Sequence, residues 1–313
     1  MLNRKNKLFL MKIISLFSVV RGYNIPVIIL AQYLSAIFIL AKDKPALDTV
    51  LDVNLFLIVL ASSLTIASGY IINNFYDSKK DLINRPNKSK LDRLVSQKTK
   101  LTVYFSLNFL AAFLGLLVSW RASLFFSVYI FLIWFYSHKV KRYPIIGNLM
   151  STLMTILPFF AIFLMYYKDI QSQSSYVVIF SHAAFLFLLL SIRELIKDLE
   201  NITGDFATNY QTIPVVYGEK ISKYIITVLS ILTVIPVYVL IELDDVGYMD
   251  IYFYLCFIVL IFLVLYLWQS KSKQQYLNLH NVLKVLIVAG VFCIVLIEPS
   301  VLIHGKKLLL PAL

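Results

Sequence analysis

The sequence predicts an all-α polytopic membrane protein, a bundle of nine transmembrane helices, and three observations carry that prediction. Hydrophobic residues fill 60% of the 313 positions and charged residues only 15%, against roughly 45–50% and about 25% in soluble domains. The mean hydropathy of +0.81 is gathered into long apolar windows, and about 20 apolar residues suffice to cross a ~30 Å hydrocarbon layer. The net charge of +12 is confined to alternate connections between those windows, as the positive-inside rule requires. A soluble enzyme and a nucleic-acid-binding module are both excluded.

The windows place the spans at 18–41, 54–76, 101–119, 122–136, 146–167, 175–195, 222–242, 250–268 and 282–303. The first follows a basic segment, residues 1–17, with Arg4, Lys5, Lys7 and Lys12. It holds Arg21 and Asn24 and runs past any small-residue cleavage site, so the N-terminus is expected to be retained. Spans three and four meet at Trp120-Arg121-Ala122-Ser123, read as a tight hairpin, with one bent segment and eight spans as the alternative. Cys256 and Cys293 lie in apolar runs without metal-ligand spacing and read as small buried hydrophobes. The N-terminal segment and the connections after spans two, four, six and eight, together with the span ends that adjoin them, hold 22 of the 29 Lys and Arg residues. The N-terminus is therefore expected to face the cytoplasm, and an odd number of spans puts the C-terminus outside. Asp43, Asp48, Asp52, Glu242, Asp244, Asp245 and Asp250 fall on the outer connections as solvated loop charges. No linker interrupts the chain, so residues 1–313 are expected to form one integral-membrane domain.

Two clusters could carry chemistry. At the end of span two, Asn73, Asp77 and Asp81 stand four residues apart and form one oxygen-bearing stripe on a continuing helix. Like charges at this spacing repel unless a cation sits between them. Oxygen ligands of this kind suit Mg²⁺, which takes one or two carboxylates plus waters and phosphate oxygens. A solvated helix end is the competing reading. At the end of span six, Glu194, Asp198, Asn201 and Asp205 share another face, beside a basic stripe of Arg193 and Lys197. Taken alone these are i,i+4 salt bridges worth about 0.2–0.5 kcal/mol each. Charges at membrane helix ends are costly, however, and a second such cluster on the same side favours function. The clusters lie four helices apart, an internal echo that would bring them face to face. Arg21 either meets an anion or snorkels to the surface.

These residues resemble a family. Asn73-x-x-x-Asp77-x-x-x-Asp81 followed by Ile83-Asn84-Arg85-Pro86 is similar to the first signature of the UbiA-type intramembrane prenyltransferases. Arg193-Glu194 through Lys197-Asp198-x-Glu200-Asn201-x-x-Gly204-Asp205, with Gln211-Thr212-Ile213-Pro214-Val215-Val216-x-Gly218, resembles the second. Tyr136-Ser137, Val140-Lys141-Arg142 and Ile146-Gly147-Asn148 resemble the segment between, and Arg21 with Asn24 the first helix. The resemblance runs from about residue 18 to the end. It implies a bundle around a central cavity open sideways to lipid, in which Mg²⁺ is held on a prenyl diphosphate. Carried over, Asp77, Asp81 and Asp198 are the catalytic, metal-binding carboxylates, and Asn201 and Asp205 complete the metal set. Arg21, Asn24, Asn73, Arg85, Lys141 and Lys197 bind the substrate. The chain departs from the pattern at Asn74 and Asn201, where Asp is common, and in a lengthened stretch Lys88-Ser89-Lys90-Leu91-Asp92-Arg93.

The implied function is Mg²⁺-dependent transfer of a prenyl chain, geranylgeranyl, to a membrane-associated acceptor in a bacterial or archaeal cell membrane, with the site toward the cytoplasm. The run Arg193-Glu194-Leu195-Ile196-Lys197-Asp198-x-Glu200 most resembles archaeal-type enzymes that prenylate geranylgeranylglyceryl phosphate. An aromatic acceptor of quinone synthesis is the alternative. A secondary transporter is the more distant one; it would place its charges near mid-span or at broken helices, whereas these carboxylates gather at one face.

Overall fold

The computed structural model describes residues 4–42, 44–168, 173–243 and 246–303, all helix, turn or loop, with no strand among them. Nine helical stretches among these residues are long and apolar enough to cross a membrane. Asp43, Asp244, Asp245 and the C-terminal tail lie outside the described residues.

The basic start is a helix in its own right, α1 (Arg4–Val19). It exposes Leu10, Ile13, Ile14 and Phe17 and is tied down through Ser15, whose hydroxyl donates to the Leu91 carbonyl at 2.8 Å. Arg21, in the left-handed conformation with φ 49°, breaks the chain. The first span follows as the turn Gly22–Asn24, α2 (Ile25–Ser35) and a π-turn at Ala36–Leu40. Pro26 stands in the first turn of α2, where a missing N–H costs nothing. After the short α3 (Ala46–Leu51), Asp52 caps α4 (Val53–Tyr76) by accepting from the Asn54 N–H at 2.8 Å. Two single-coil helices, α5 (Ser78–Asn84) and α6 (Pro86–Asp92), lead to α7 (Gln97–Val118) and α8 (Trp120–His138).

The predicted hairpin is present, and its turn is the single residue Ser119, whose hydroxyl accepts from the Ala122 N–H at 3.1 Å. Gly115 lets the two backbones close up, since a Cβ there would lie 3.0 Å from the Ser123 backbone. In α9 (Ile146–Tyr166), Pro158 sits inside the helix and cannot donate to Met154. The Tyr129 hydroxyl takes that carbonyl at 2.7 Å, and the Pro158 carbonyl accepts from Gln32 at 2.9 Å. In lipid a freed backbone group must find such a partner.

Three expected boundaries move. The sixth span does not end at residue 195: α10 (Gln173–Ala207) has 35 residues, roughly 52 Å, because its charged residues satisfy one another and the helix continues. The seventh begins at Ile213 in α11 (Ile213–Leu232), through a break at Gly218 with φ +82°, and runs on as α12 (Val234–Leu243). The ninth, after α13 (Met249–Gln269), begins not at residue 282 but at Lys273, in α14 (Lys273–Cys293), where Ser272 and Gln275 form a capping box. The main core surrounds α10, with Ile192, Ile196, Phe253 and Leu283 fully buried; a second joins α4, α7, α8 and α9 around Phe126 and Ala111.

The expected meeting of the two clusters is a clasp between α5 and α10. Asn84 Oδ1 accepts from the Gly204 N–H at 3.2 Å, its amide donates to the Asn201 carbonyl at 3.5 Å, and its own carbonyl accepts from Lys273 at 2.7 Å. A Cβ at Gly204 would lie 2.4 Å from the Asn84 side chain. Gly204→Ala is expected to lower stability by about 1–3 kcal/mol through overpacking, read as a lower thermal midpoint in detergent. An unchanged midpoint would show that the clasp is loose.

Candidate active site

The backbone carries the first stripe across the joint between α4 and α5: the Asp77 N–H donates to the Asn73 carbonyl at 2.9 Å and the Asp81 N–H to Asp77 at 2.8 Å. Asn73, Asp77 and Asp81 thereby line one wall of a polar cavity of about 210 Å³, and Glu194, Asp198 and Asn201 of α10 line the other. Lys141 reaches in from the loop after α8, its Nζ 2.7 Å from Asp77 Oδ1 and 2.9 Å from Asn73 Oδ1. That loop presses on α9 at Gly147, where a Cβ would meet the Val140 carbonyl at 3.2 Å. The Tyr210 hydroxyl donates to Asp77 at 2.9 Å.

On the second wall, Lys197 Nζ sits 2.6 Å from Glu194, which also accepts from Ser151 at 3.1 Å, while Arg193 stands at 3.5 Å. Asp198 accepts from the Asn148 amide at 2.8 Å. Arg85 pairs with buried Glu200 at 3.2 Å, and the His280 ring Nδ1 lies 2.8 Å from the same carboxylate.

Two expectations need correcting. Asp205 does not line the cavity; it is fully buried behind Lys80, whose Nζ lies 2.6 Å away. Asn24 does not reach the cavity either: its amide donates to the Tyr70 hydroxyl at 3.3 Å, and Arg21 lies over the same ring at 5.0 Å. Asn201 borders the cavity, but its amide donates to the Lys197 carbonyl at 2.6 Å. Arg21, Arg85, Lys141 and Lys197 line the cavity.

Electrostatics separates the two carboxylates of the first stripe. Burial pushes the Asp77 carboxyl up, but the Lys141 and Lys80 ammoniums and the bonds from Lys141 and Tyr210 outweigh it and hold it below its ordinary value. Burial, helped by the charge of Asp77, raises Asp81. Burial also opposes the charge of Lys80, yet Asp205 and Asp77 hold its ammonium above the ordinary value.

Sequence reasoning missed Tyr210, Ser151 and the Glu200–His280 pair. Asn148 was part of a resembling segment without a role, and Tyr210 follows a helix end where no periodicity points to the cavity. The structure also explains Asn74. Its amide donates to Asp92 at 3.0 Å and its carbonyl accepts from buried Lys100 at 2.9 Å, while Ser18 donates to Asp92 at 2.8 Å. The carboxylate absent at 74 is supplied at 92 by the lengthened stretch.

The polar cavity opens through Tyr70, Asn73, Tyr136, Ser151 and Thr155 into an apolar chamber of about 360 Å³, walled by residues such as Ile66, Ile133, Met154, Leu186 and Ile287. Fold and site together set a cavity lined by acids and bases against an apolar chamber within a membrane-spanning bundle. The model of the UbiA prenyltransferase family matches residues 29–295, and the chain belongs to that family. It is 31% identical over 212 residues to the digeranylgeranylglyceryl phosphate synthase of Methanobrevibacter smithii, covering 66% of this chain and 70% of that one. It is 32% identical over 180 residues to the synthase of the same name from Thermococcus sibiricus, covering 57% of this chain and 62% of that one. Among solved structures, one described as digeranylgeranylglyceryl phosphate synthase in membranes shares the fold at 20% identity with a TM-score of 0.66, covering 91% of this chain and 97% of that one. A UbiA homologue from Archaeoglobus fulgidus bound to GPP and Mg²⁺ shares it at 14% identity, TM-score 0.64, covering 90% and 99%.

Asn74→Asp alone sets a second carboxylate against Asp92 and is expected to lower the thermal midpoint. Adding Asp92→Asn, which exchanges the two groups, is expected to restore it. A double variant no more stable than the single would show that Asp92 and Asn74 are uncoupled.

Proposed function

We propose that the chain is an Mg²⁺-dependent transferase that moves a geranylgeranyl group from its diphosphate to the alcohol of geranylgeranylglyceryl phosphate. The junction of the acid-and-base-lined cavity with the apolar chamber at Asn73 and Tyr136 carries this reading. The names of the relatives support the acceptor, and the homologue bound to GPP and Mg²⁺ supports donor and metal.

The donor set fits the metal. Among the described residues no group of three or more acidic, His or Cys side chains forms a closed cage, and Mg²⁺ favours one or two carboxylates completed by water and phosphate oxygens. Asp81 and Asp198 face the cavity without an ion pair among the described residues. Asp77, Asp81 and Asp198 would hold Mg²⁺, with Asn73 and Asn201 as neutral oxygen donors and Asp205 holding Lys80 from behind. The metal, when bound, neutralises charge on the departing diphosphate.

The chain's own residues do the rest. Lys141, Arg21, Arg85 and Lys197 bind the diphosphate oxygens, and Asn24 keeps Tyr70 in place beside Arg21. When the bond from the allylic carbon to oxygen breaks, the electron pair leaves with the diphosphate, and these fixed cations stabilise it without reorganisation. The apolar chamber keeps water from the carbocation, and the faces of Tyr70 and Tyr136 shield it. The whole chain, residues 1–313, acts as one integral-membrane domain, with N-terminus and site on the cytoplasmic side; the Lys and Arg distribution supports this.

Asp77→Asn and Asp198→Asn are each expected to cut turnover at least 100-fold at saturating Mg²⁺ in protein that still expresses and folds in membranes; near-parental turnover in either would overturn the assigned roles. Asn201→Asp is expected to be tolerated. In competition, geranylgeranylglyceryl phosphate is expected to be prenylated and dihydroxynaphthoate to be ignored. The opposite result replaces the ether-lipid reading with the quinone reading.

A further inference from the structure

The cations of the site fall into two groups. Lys141, Lys80, Lys197, Arg85 and Lys88 each have a carboxylate: Asp77, Asp205, Glu194, Glu200 and Asp92. Arg21 and Lys284 have none among the described residues, and Arg193 stands 3.5 Å from a Glu194 already held by Lys197 at 2.6 Å. The buried Nε of Arg193 has no acceptor at all.

The apolar window 282–303 puts Lys284 near the start of the last span. In the structure it lies eleven residues into α14, roughly 16 Å along the helix axis, where a charge needs a functional reason. It shares a face with Ile287, Val291 and Ile294, at spacings of three, four and three, and those three residues wall the apolar chamber. One turn earlier on that face, His280 fixes α14 to α10 through Glu200. The Lys284 ammonium lies 4.9 Å over the ring of Tyr23, in the turn that follows Arg21, and the charges of Arg193, Arg21 and Arg85 all repel it. Lys284 thus stands without a carboxylate among the described residues where α14 meets the first span, close to Arg21 and to Arg193, which shares Glu194 with Lys197. The outer surface there is apolar and exposed, with Val285 69% and Tyr23 53% accessible, so this edge faces lipid.

We infer that Lys284 and Arg193, with Arg21 on the boundary, form a second anion subsite at the rim of the carboxylate-lined cavity, whose wall Arg193 and Arg21 share, that takes the phosphate of a lipid phosphomonoester acceptor arriving from the bilayer. Such a head brings up to two negative charges and three acceptor oxygens, which suits the unpaired ammonium of Lys284 and the unbonded Nε of Arg193. In a glycerol phosphomonoester the free alcohol is two carbons from the phosphate, so anchoring the phosphate at the edge of the cavity holds the alcohol toward the diphosphate inside it. The subsite rests on the proposed acceptor, and it assigns to Lys284 and Arg193 the choice of acceptor and not the departure of the donor's head.

Binding without turnover tests it, in nanodiscs of phosphatidylcholine, with geranylgeranylglyceryl phosphate, its dephosphorylated alcohol, and geranylgeranyl diphosphate with Mg²⁺ as separate probes. Lys284→Met and Arg193→Gln are each expected to weaken phosphomonoester binding at least tenfold and to change the alcohol and the diphosphate by less than twofold; Lys284→Arg is expected to retain binding. An equal loss of diphosphate affinity, or unchanged phosphomonoester binding, overturns the subsite. If phosphatidylglycerol nanodiscs abolish the phosphomonoester signal, the cations hold a structural lipid and the acceptor assignment falls. Binding that depends on Lys284 in a protein that prenylates only dihydroxynaphthoate would sink the acceptor reading and leave the anion subsite standing, so the two failures are distinct.

Discussion

A charge carried into the interior of an apolar bundle must meet an opposite charge there, and the arrangement of this protein follows from that constraint. Removing one partner of a buried pair typically costs about 3–5 kcal/mol, because the other is left uncompensated. Lys141 against Asp77, Lys80 against Asp205 and Lys197 against Glu194 each join a cation to a carboxylate at 2.6–2.7 Å. Two of these pairs connect separate elements: Lys141 brings the loop after α8 to the joint of α4 and α5, and Lys80 ties α5 to α10. The polar cavity is therefore a structural element as well as a site, and the helices around it are set by which charges they must bring together.

The same pairing prepares the site for a ligand that exchanges charges. Asp77 is held ionised by Lys141 and Lys80, while Asp81, one turn on, is raised by burial. In the proposed reaction the diphosphate oxygens would offer the lysines a stronger partner, leaving the carboxylates to hold the metal. The apolar chamber adjoining them supplies what a lysine–aspartate network alone does not, a dry space continuous with the charged one through Tyr136 and Ser151.

Much of this was legible in the chain. The number of spans followed from apolar windows, and both acidic stripes from four-residue spacing, because helical periodicity survives even where α4 gives way to α5 at Asp77. What the sequence obscured was where helices end. A charge in an apolar window looks like a boundary, so residue 195 closed the sixth span and residue 282 opened the ninth, whereas pairing of Glu194 with Lys197 and the Ser272–Gln275 capping box let both helices run through. Contacts from loops were hidden for a different reason: Tyr210 reaches Asp77 across 133 residues of sequence, and no local pattern encodes that. Asp205 misled in the opposite direction, since it shares the face of Asp198 yet is buried behind Lys80, and periodicity reports direction without depth.

The two asparagines that depart from the family pattern are best understood through charge balance. Asn74 is not a lost ligand, because Asp92 answers Lys100 through it and the charge has moved behind the wall. Asn201 turns its amide to the Lys197 carbonyl and brings no charge to the cavity. Among the described residues, the cavity carboxylates outside any ion pair are then Asp81 and Asp198, one from each stripe. Two such groups on opposite walls are too few to hold divalent ions alone, given that Mg²⁺ releases its water reluctantly and normally relies on phosphate oxygens to complete its shell. In the proposed reaction the donor's diphosphate must therefore supply the missing ligands, so metal and donor bind together. Lys284 of α14, with no carboxylate partner among the described residues, is left for the anion of the proposed acceptor.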